Sequence, residues 1–225
     1  MCPTEGAEGG DAGHAGGADM GEKLKARVEL RTNGVVILKD IPMVNQGPKG
    51  YCVPATWERA LRYVGIPADM YVLAMAGQTE AGGGTSLAAM SWGAAEIVAR
   101  HGRRLTPSGG RITTHVGARV IDNGLPILWT MFAAEDVEKA ISIRTEQRRQ
   151  VTDWAIYTKT LEPVRRDARR IRPSRDDAHM CMIIGYNSKT GEIAISDSWG
   201  PQFAERWITT EEANAIRQNE FMVIN

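Results

Sequence analysis

Residues 46–57 read QGPKGYCVPATW and join a tight loop to the start of a helix. The glycines and the first proline of this stretch favour a turn. After Cys52 the apolar residues recur at spacings of three and four, which predicts an amphipathic helix that ends near Gly65. Pro54 fits the first turn of that helix, where its missing N–H would be unpaired in any case. We therefore expect Cys52 at the helix N-terminus.

A cysteine in this position is expected to be reactive. Unpaired N–H groups and the positive end of the helix dipole both favour the thiolate, which is the nucleophilic form. A thiolate needs a partner base, and the chain has four histidines. His14 lies in a Gly-rich tail, His101 at the end of a predicted helix, and His115 in an ambiguous polar stretch. His179 is the best candidate, because it opens an apolar run.

Two apolar runs in the last quarter of the chain predict a β-hairpin. Residues 178–186 contain His179 near their start, and residues 192–200 follow after a turn-forming stretch. Antiparallel pairing would bring His179 close to Asp197, near the end of the neighbouring strand. The predicted site is a thiolate, an imidazole and an orienting carboxylate, in the chain order Cys52, His179 and Asp197.

These motifs together resemble those of papain-like cysteine peptidases. Gln46 lies six residues before Cys52, and an Asp-Ser-Trp-Gly motif begins 18 residues after His179. Papain-like enzymes usually carry Asn in that motif. The resemblance is closest to the bacterial peptidases related to bacteriocin-leader-processing (double-glycine) domains, which commonly carry Asp. It covers roughly residues 41–225 and is weak in the middle.

The resemblance implies an α+β papain-like fold with the site in a cleft between two lobes. The expected domain spans residues 26–225. Its helical lobe covers about 45–110, and its antiparallel β lobe covers about 115–225, with a helical basic insertion at about 133–177. Residues 1–25 are rich in Gly and Ala, which predicts a disordered tail because little burial can offset the entropy of ordering.

The resemblance also gives each residue of the site a role. Cys52 would be the nucleophile, and His179 the general base and acid. Asp197 would orient His179, and Gln46 would donate to the oxyanion hole. Trp199 is expected mainly to shield the His179–Asp197 contact from water. Candidate substrate contacts come from the loops and from the Asp-Ser-Trp-Gly motif: Gly50, Tyr51, Gly83, Gly84 and Trp199. The implied reaction is hydrolysis of a peptide or protein substrate through a thioester acyl-enzyme.

Two other functions share these residues. A Cys-His-Asp acyltransferase of the transglutaminase type uses the same chain order, and an inactive peptide-binding module would keep the lobes without turnover. Gln46 and the Ser-Trp-Gly stretch favour the peptidase. Papain has Trp directly after its nucleophile and Cys three residues before it, where this chain has Val53 and Lys49. The missing cysteine removes a disulfide and disfavours the secreted, lysosome-like branch.

Composition and charge exclude several other classes of protein. At 225 residues with 43% hydrophobic content, the chain can bury one substantial core. Its 27 basic and 27 acidic residues balance, so no overall charge favours nucleic acid or a membrane surface. It has neither an apolar run of about 18 residues nor a signal peptide. We expect a cytoplasmic protein if the chain is complete, and a secreted protein or part of a larger one if a leader was removed. The oligomeric state stays open.

No cofactor or metal is expected, and the three cysteines of the chain cannot make a disulfide framework. Cys181 lies two positions from His179 on the same strand face, and with Cys52 they could offer three zinc ligands. No second ligand pair at metal spacing follows, which disfavours zinc. The glycines at residues 82–84 lack the Lys-Ser/Thr pair of a phosphate loop. They indicate either a flexible connection or backbone that approaches a bound peptide.

The segment between two predicted strands, residues 133–177, looks largely helical. Within it, residues 165–175 carry six arginines and one acid, Asp167. The simplest interpretation is the solvated face of an inserted helical element. A patch that prefers acidic substrates is an alternative. Nucleic-acid binding is a weaker one, because no aromatic residues lie among the arginines.

Overall fold

The structure is a computed structural model that describes residues 13–80 and 84–225. Within these residues the chain forms eight α-helices: α1 Gly13–Lys25, α2 Cys52–Tyr63, α3 Met70–Ala76, α4 Leu87–Arg100, α5 Thr114–Ile121, α6 Glu135–Arg149, α7 Trp154–Asp167 and α8 Thr210–Ile216. It also forms eight strands: β1 Val28–Arg31, β2 Val35–Leu38, β3 Leu105–Gly109, β4 Ile127–Phe132, β5 Ala178–Asn187, β6 Glu192–Ser196, β7 Arg206–Thr209 and β8 Arg217–Ile224. The predicted α+β class is confirmed.

The described strands form one antiparallel sheet in the order β1-β2-β5-β4-β8-β3, and β6 and β7 continue it from β5. Strand β5 is the centre of this sheet, because it pairs with β2, β4 and β6. Gly185 lies where β2 comes closest, since a Cβ at this position would be 2.6 Å from the Val36 carbonyl oxygen. The strand that carries His179 is therefore fixed by neighbours along both of its edges.

Helix α2 is the centre of the helical side, where it contacts β5, α3 and α4. Nearly every residue of this helix is buried, and Trp57 and Leu61 are completely so. Asp69 caps the N-terminus of α3 and Ser86 that of α4. The Asp69 side chain accepts from two N–H groups of the first turn, and the Ser86 side chain accepts from one. Because close-packed interiors resist displacement, α2 holds Cys52 at a fixed place against the sheet.

Helices α6 and α7 fill the segment between β4 and β5, and α6 is anchored to the sheet. Arg144 Nη2 lies 2.6 Å from a carboxylate oxygen of Glu212, and Arg148 Nε lies 3.1 Å from one of Glu192. All four side chains are buried. The arginine-rich stretch at the end of α7 and after it mostly faces solvent, in agreement with a solvated face: Arg166, Arg169, Arg170, Arg172 and Arg175 are exposed.

The N-terminal segment differs from the prediction. The disordered tail expected over residues 1–25 is wrong for Gly13–Lys25, which form α1, and residues 1–12 lie outside the described part of the chain. Leu24 is buried and Met20 packs against the core. These two apolar side chains give the helix something to bury despite its poor composition. Among the described residues, no helix is both long and apolar enough to cross a membrane.

Candidate active site

Cys52 is the first residue of α2, which confirms its predicted place at a helix N-terminus. Tyr51, just before it, makes no side-chain hydrogen bond to the first turn. Gly50 has a φ of 68°, in the left-handed region that favours glycine, and so turns the loop into the helix. The backbone N–H of Val53 donates to the sulfur. Cys52 is 9% exposed, so its thiol is largely screened from water.

His179 is the second residue of β5 and faces both other members of the predicted site. Its ring and the Cys52 thiol are hydrogen-bond partners. On its other side, Nε2 lies 2.9 Å from Asp197 Oδ1. Asp197 reaches this place because β6 pairs with β5 as far as Ser196, which lies opposite Met182. The structure thus brings the three side chains together.

The thiol and the imidazole shift each other's pKa in opposite directions. Burial by itself would raise the pKa of Cys52, but the hydrogen bond and charge of His179 and two backbone N–H groups lower it below its usual value. Burial by itself would lower the pKa of His179, but Asp197 and Cys52 raise it to about 9. Both shifts favour a thiolate beside an imidazolium.

Asp197 is fully buried, and each of its carboxylate oxygens has a partner. Oδ1 accepts from His179, and Oδ2 accepts from Arg206 Nε at 3.1 Å and from Arg206 Nη2 at 2.6 Å. Burial would raise the pKa of this carboxyl, but His179 and Arg206 hold it below its usual value. An ionised Asp197 in turn favours the imidazolium form of His179.

Sequence reasoning missed the two charged residues behind Asp197. Arg206 lies in β7, is 2% exposed and also donates from Nη1 to Glu138 of α6. An arginine directly before the buried pair Trp207 and Ile208 was the available signal, because a charged residue in a buried strand needs a specific partner. Glu138 gave no signal, since it is one of several acids near the start of α6.

A second buried arginine, Arg59, ties the nucleophile helix to the strand that leads to Asp197. Its Nε donates to the Pro42 carbonyl oxygen at 2.8 Å, and its Nη2 donates to Ser196 Oγ at 2.5 Å. Burial lowers the pKa of Arg59 to about 10, although the charge of Asp197 acts in the other direction. Arg59 was also not anticipated, and it fixes the spacing between α2 and the end of β6.

Trp199 covers the imidazole. Its ring stacks on the His179 ring with 4.4 Å between centroids and an interplanar angle of 25°. The edge of Phe203 packs against Trp199 at 5.5 Å. This arrangement agrees with the expected shielding of the His179–Asp197 contact from water.

Gln46 lies close to the Asp-Ser-Trp-Gly motif. Its backbone N–H donates to the Ser198 carbonyl oxygen at 2.8 Å, which connects the nucleophile loop to that motif. Its side-chain oxygen is buried and accepts no hydrogen bond from the described residues.

The predicted substrate contacts lie partly within the described residues. The Tyr51 ring meets the exposed Tyr71 ring edge-on at 6.1 Å. The Gly84 N–H donates to the Gly50 carbonyl oxygen at 3.5 Å, which brings the Gly-rich connection beside the nucleophile loop. Gly83 lies outside the described residues.

The remaining histidines and cysteines stay apart from this set. His101 and His115 are exposed, whereas His179 is 6% exposed. The side chain of His14 and all of Cys2 lie outside the described part of the chain. Cys181 is completely buried, and burial raises the pKa of its thiol well above the usual value. Cys181 is therefore a neutral core thiol.

Comparison with known proteins identifies a family and similar folds. The family model described as Peptidase_C39 like family matches residues 38–221. The chain is similar to the solved peptidase domain of Streptococcus ComA, a bifunctional ABC transporter involved in a quorum sensing pathway. The identity is 11%, the TM-score is 0.51, and the alignment covers 82% of this chain and 98% of that one.

A second similar structure, from Bacillus anthracis, is assigned as a C39-like peptidase. It is 13% identical with a TM-score of 0.52, and the alignment covers 85% of this chain and 98% of that one. At these identities the two likenesses show the fold. A search among curated proteins found no significant match.

Proposed function

The chain belongs to the Peptidase_C39 like family, and we propose that it hydrolyses peptide bonds through a thioester acyl-enzyme. The family and the fold support a function of the cysteine peptidase type. The observation that carries the finer proposal is the buried set of Cys52, His179 and Asp197. In this set a thiol with a lowered pKa is paired with an imidazole whose pKa is raised to about 9.

In the first step, the Cys52 thiolate attacks the carbonyl carbon of the scissile peptide bond and forms a tetrahedral oxyanion. The His179 imidazolium then donates its proton to the leaving amine nitrogen. The C–N bond breaks, and a thioester remains on Cys52. Because the imidazolium carries this proton before attack, the thiolate needs no separate base.

In the second step, His179 takes a proton from water while the water oxygen attacks the thioester carbonyl carbon. The C–S bond of the second tetrahedral intermediate breaks, which releases the carboxylic acid product and restores the thiolate and imidazolium. Asp197 acts through both steps, because its carboxylate faces Nε2 and leaves Nδ1 for the reacting atoms. Trp199 keeps water away from that hydrogen bond.

The oxyanion needs donors beside Cys52. Gln46 is our candidate for the side-chain donor, together with the backbone N–H of Cys52. Its backbone bond to Ser198 fixes the loop beside the Asp-Ser-Trp-Gly motif, and its side-chain oxygen is buried. Such a donor typically contributes roughly 2.7–4 kcal/mol to stabilising the transition state.

The substrate chain would lie along the surface next to the nucleophile loop. Gly50, Tyr51 and Gly84 meet there, and Gly83 stays a predicted contact. Tyr51 contacts Tyr71 of α3, and α3 packs against α4. These two helices expose four large apolar side chains: Tyr71, Val72, Met75 and Trp92. Exposed apolar groups of this size often mark a binding surface, so we propose that apolar residues of a peptide or protein substrate contact them.

The proposed function is tested by labelling with a papain-type thiol-directed epoxide, followed by a peptide-library cleavage assay. We expect the native protein and Cys181→Ala to be labelled and to cleave peptides. Cys52→Ala should do neither, and His179→Ala should be labelled much more slowly. The proposal fails if Cys52→Ala retains cleavage. Transfer of the acyl group to an added amine in preference to water would identify an acyltransferase, and labelling without any cleavage would contradict peptide hydrolysis.

A further inference from the structure

A line of alternating charges runs from the thiol of Cys52 to helix α6. His179 is hydrogen-bonded to Asp197, Asp197 to Arg206, and Arg206 to Glu138. The side chains of Asp197 and Arg206 are 0% and 2% exposed, and that of Glu138 is 14% exposed. A buried ion is unfavourable unless it is paired, so each member of this line depends on its neighbours.

We propose that Arg206 and Glu138 are positioning residues for His179 that act through Asp197. The inference rests on the proposed function, because it takes Cys52 and His179 as the reacting pair. Arg206 binds Asp197 Oδ2 with two N–H groups, which fixes the rotation of the carboxylate and leaves Oδ1 for His179. Glu138 accepts from the remaining Nη1, so the guanidinium cannot turn away from Asp197.

Aromatic packing holds the guanidinium in the same place. Its central carbon lies 5.3 Å from the Trp199 ring centroid and 5.4 Å from that of Phe203. Trp199 also stacks on His179. Arg206 therefore supports the imidazole along two routes, through the Asp197 carboxylate and through the ring that covers it.

Glu138 has a further electrostatic effect. The positive charge of Arg206 by itself disfavours an imidazolium nearby, and the negative charge of Glu138 offsets it. The attraction between the Glu138 carboxylate and a protonated His179 also favours the imidazolium. The titratable and charged groups around His179 come from α2, β5, β7, α6 and the turn after β6: Cys52, Arg59, Cys181, Arg206, Glu138 and Asp197. Among these groups, Glu138 is the one supplied by the helical segment inserted between β4 and β5.

The test is the substitution Glu138→Gln, which removes the charge but keeps an oxygen that can accept from Arg206. The rate of Cys52 alkylation by iodoacetamide is measured from pH 5 to 10, by mass spectrometry of the peptide that contains Cys52. We expect the alkaline limb of the profile to move down by roughly 0.5–1 pH unit, since one nearby charge is lost. On a cleaved peptide, kcat should fall by about tenfold while KM stays unchanged.

The matched control is Glu192→Gln. Glu192 is also a buried carboxylate that binds an arginine of α6, namely Arg148, but it does not contact the line of charges. We expect this variant to lose stability and keep the alkaline limb of the native protein. The proposal is overturned if Glu138→Gln leaves the limb in place, or if both variants move it equally.

A second variant keeps the test decisive if Glu138→Gln does not fold. Arg206→Lys retains the charge but cannot bridge Asp197 and Glu138, and we expect about tenfold lower kcat at unchanged KM and slower alkylation at pH 7. Native kinetics in this variant would contradict the proposal. Alkylation requires no turnover, so a native protein that shows the expected profile but cleaves no peptide refutes the proposed function and leaves the positioning role standing.

Discussion

Replacing the Asp197 carboxylate with an amide tests the electrostatics of the site most sharply. The raised pKa of His179, from an ordinary 6.5 to about 9, corresponds to about 3 kcal/mol of preference for the imidazolium. Burial opposes this preference, and Asp197 contributes most to it, ahead of Cys52. Loss of the Asp197 charge should therefore remove more than half of the effect. In Asp197→Asn we expect the alkaline limb of Cys52 alkylation to fall by about 1.5 pH units.

Arg206 should increase the effect of Asp197→Asn on the protonation of His179. Its guanidinium can only donate, so the oxygen of the introduced amide should turn toward Arg206 and the amide N–H₂ toward His179 Nε2. An imidazole nitrogen that accepts a hydrogen bond is unprotonated, and this arrangement suits only neutral histidine. Alkylation is followed from pH 5 to 10 in the native protein, in Asp197→Asn and in the control Asp167→Asn, which changes an exposed carboxylate. An unchanged alkaline limb in Asp197→Asn would refute the reasoning.

Three further predictions follow from the same contacts. His179→Ala should raise the pKa of the Cys52 thiol and slow alkylation at pH 6 by at least tenfold, as measured by adduct mass. Gln46→Ala should lower kcat by about 100- to 1000-fold with little change in KM, as measured by peptide hydrolysis. A raised KM with kcat unchanged would contradict a role in the oxyanion hole. Gly185→Ala should destabilise the fold by about 1–3 kcal/mol in urea, because its Cβ would meet the Val36 carbonyl oxygen; full native stability would show that β2 can move away.

The pairing of the reacting groups also makes stability depend on pH. The raised pKa of His179 stabilises the fold fully below about pH 6.5, and this contribution is lost as pH rises through about 9. The lowered pKa of Asp197 stabilises the fold above its ordinary value of 3.8 and is lost as pH falls further. Between about pH 6.5 and 9, the melting temperature of the native protein should therefore fall more than that of His179→Ala. If the melting temperatures of the two proteins changed with pH in the same way, this contribution of His179 to stability would be contradicted.

Much of the site could be predicted because it depends on local patterns. Cys52 follows a Gly-Pro-rich loop and precedes helical periodicity, and these two signals fix a helix N-terminus. His179 lies on β5 and Asp197 directly follows β6, the next strand of the hairpin, so antiparallel pairing predicts that they lie close together.

What could not be predicted depends on contacts between distant parts of the chain. Glu138 and Arg206 are 68 residues apart, and no local pattern shows that α6 packs against β7. Strand β3 contains Pro107, which disfavours a strand in isolation, yet β3 lies at the edge of the sheet where proline is tolerated. Helix α1 depends on the burial of Leu24 against a surface that composition cannot reveal.

The proposed mechanism requires the substrate to become covalently bonded to the sulfur of Cys52. A cleaved peptide, once identified, can be mixed with the protein, quenched in acid within milliseconds and mapped by mass spectrometry. We expect a transient acyl group on the peptide that contains Cys52, formed before the bulk of the carboxylic acid product and absent in Cys52→Ala. Steady hydrolysis with no acyl group on Cys52 at any time, and none in an Asp197→Asn variant slowed in turnover, would contradict it.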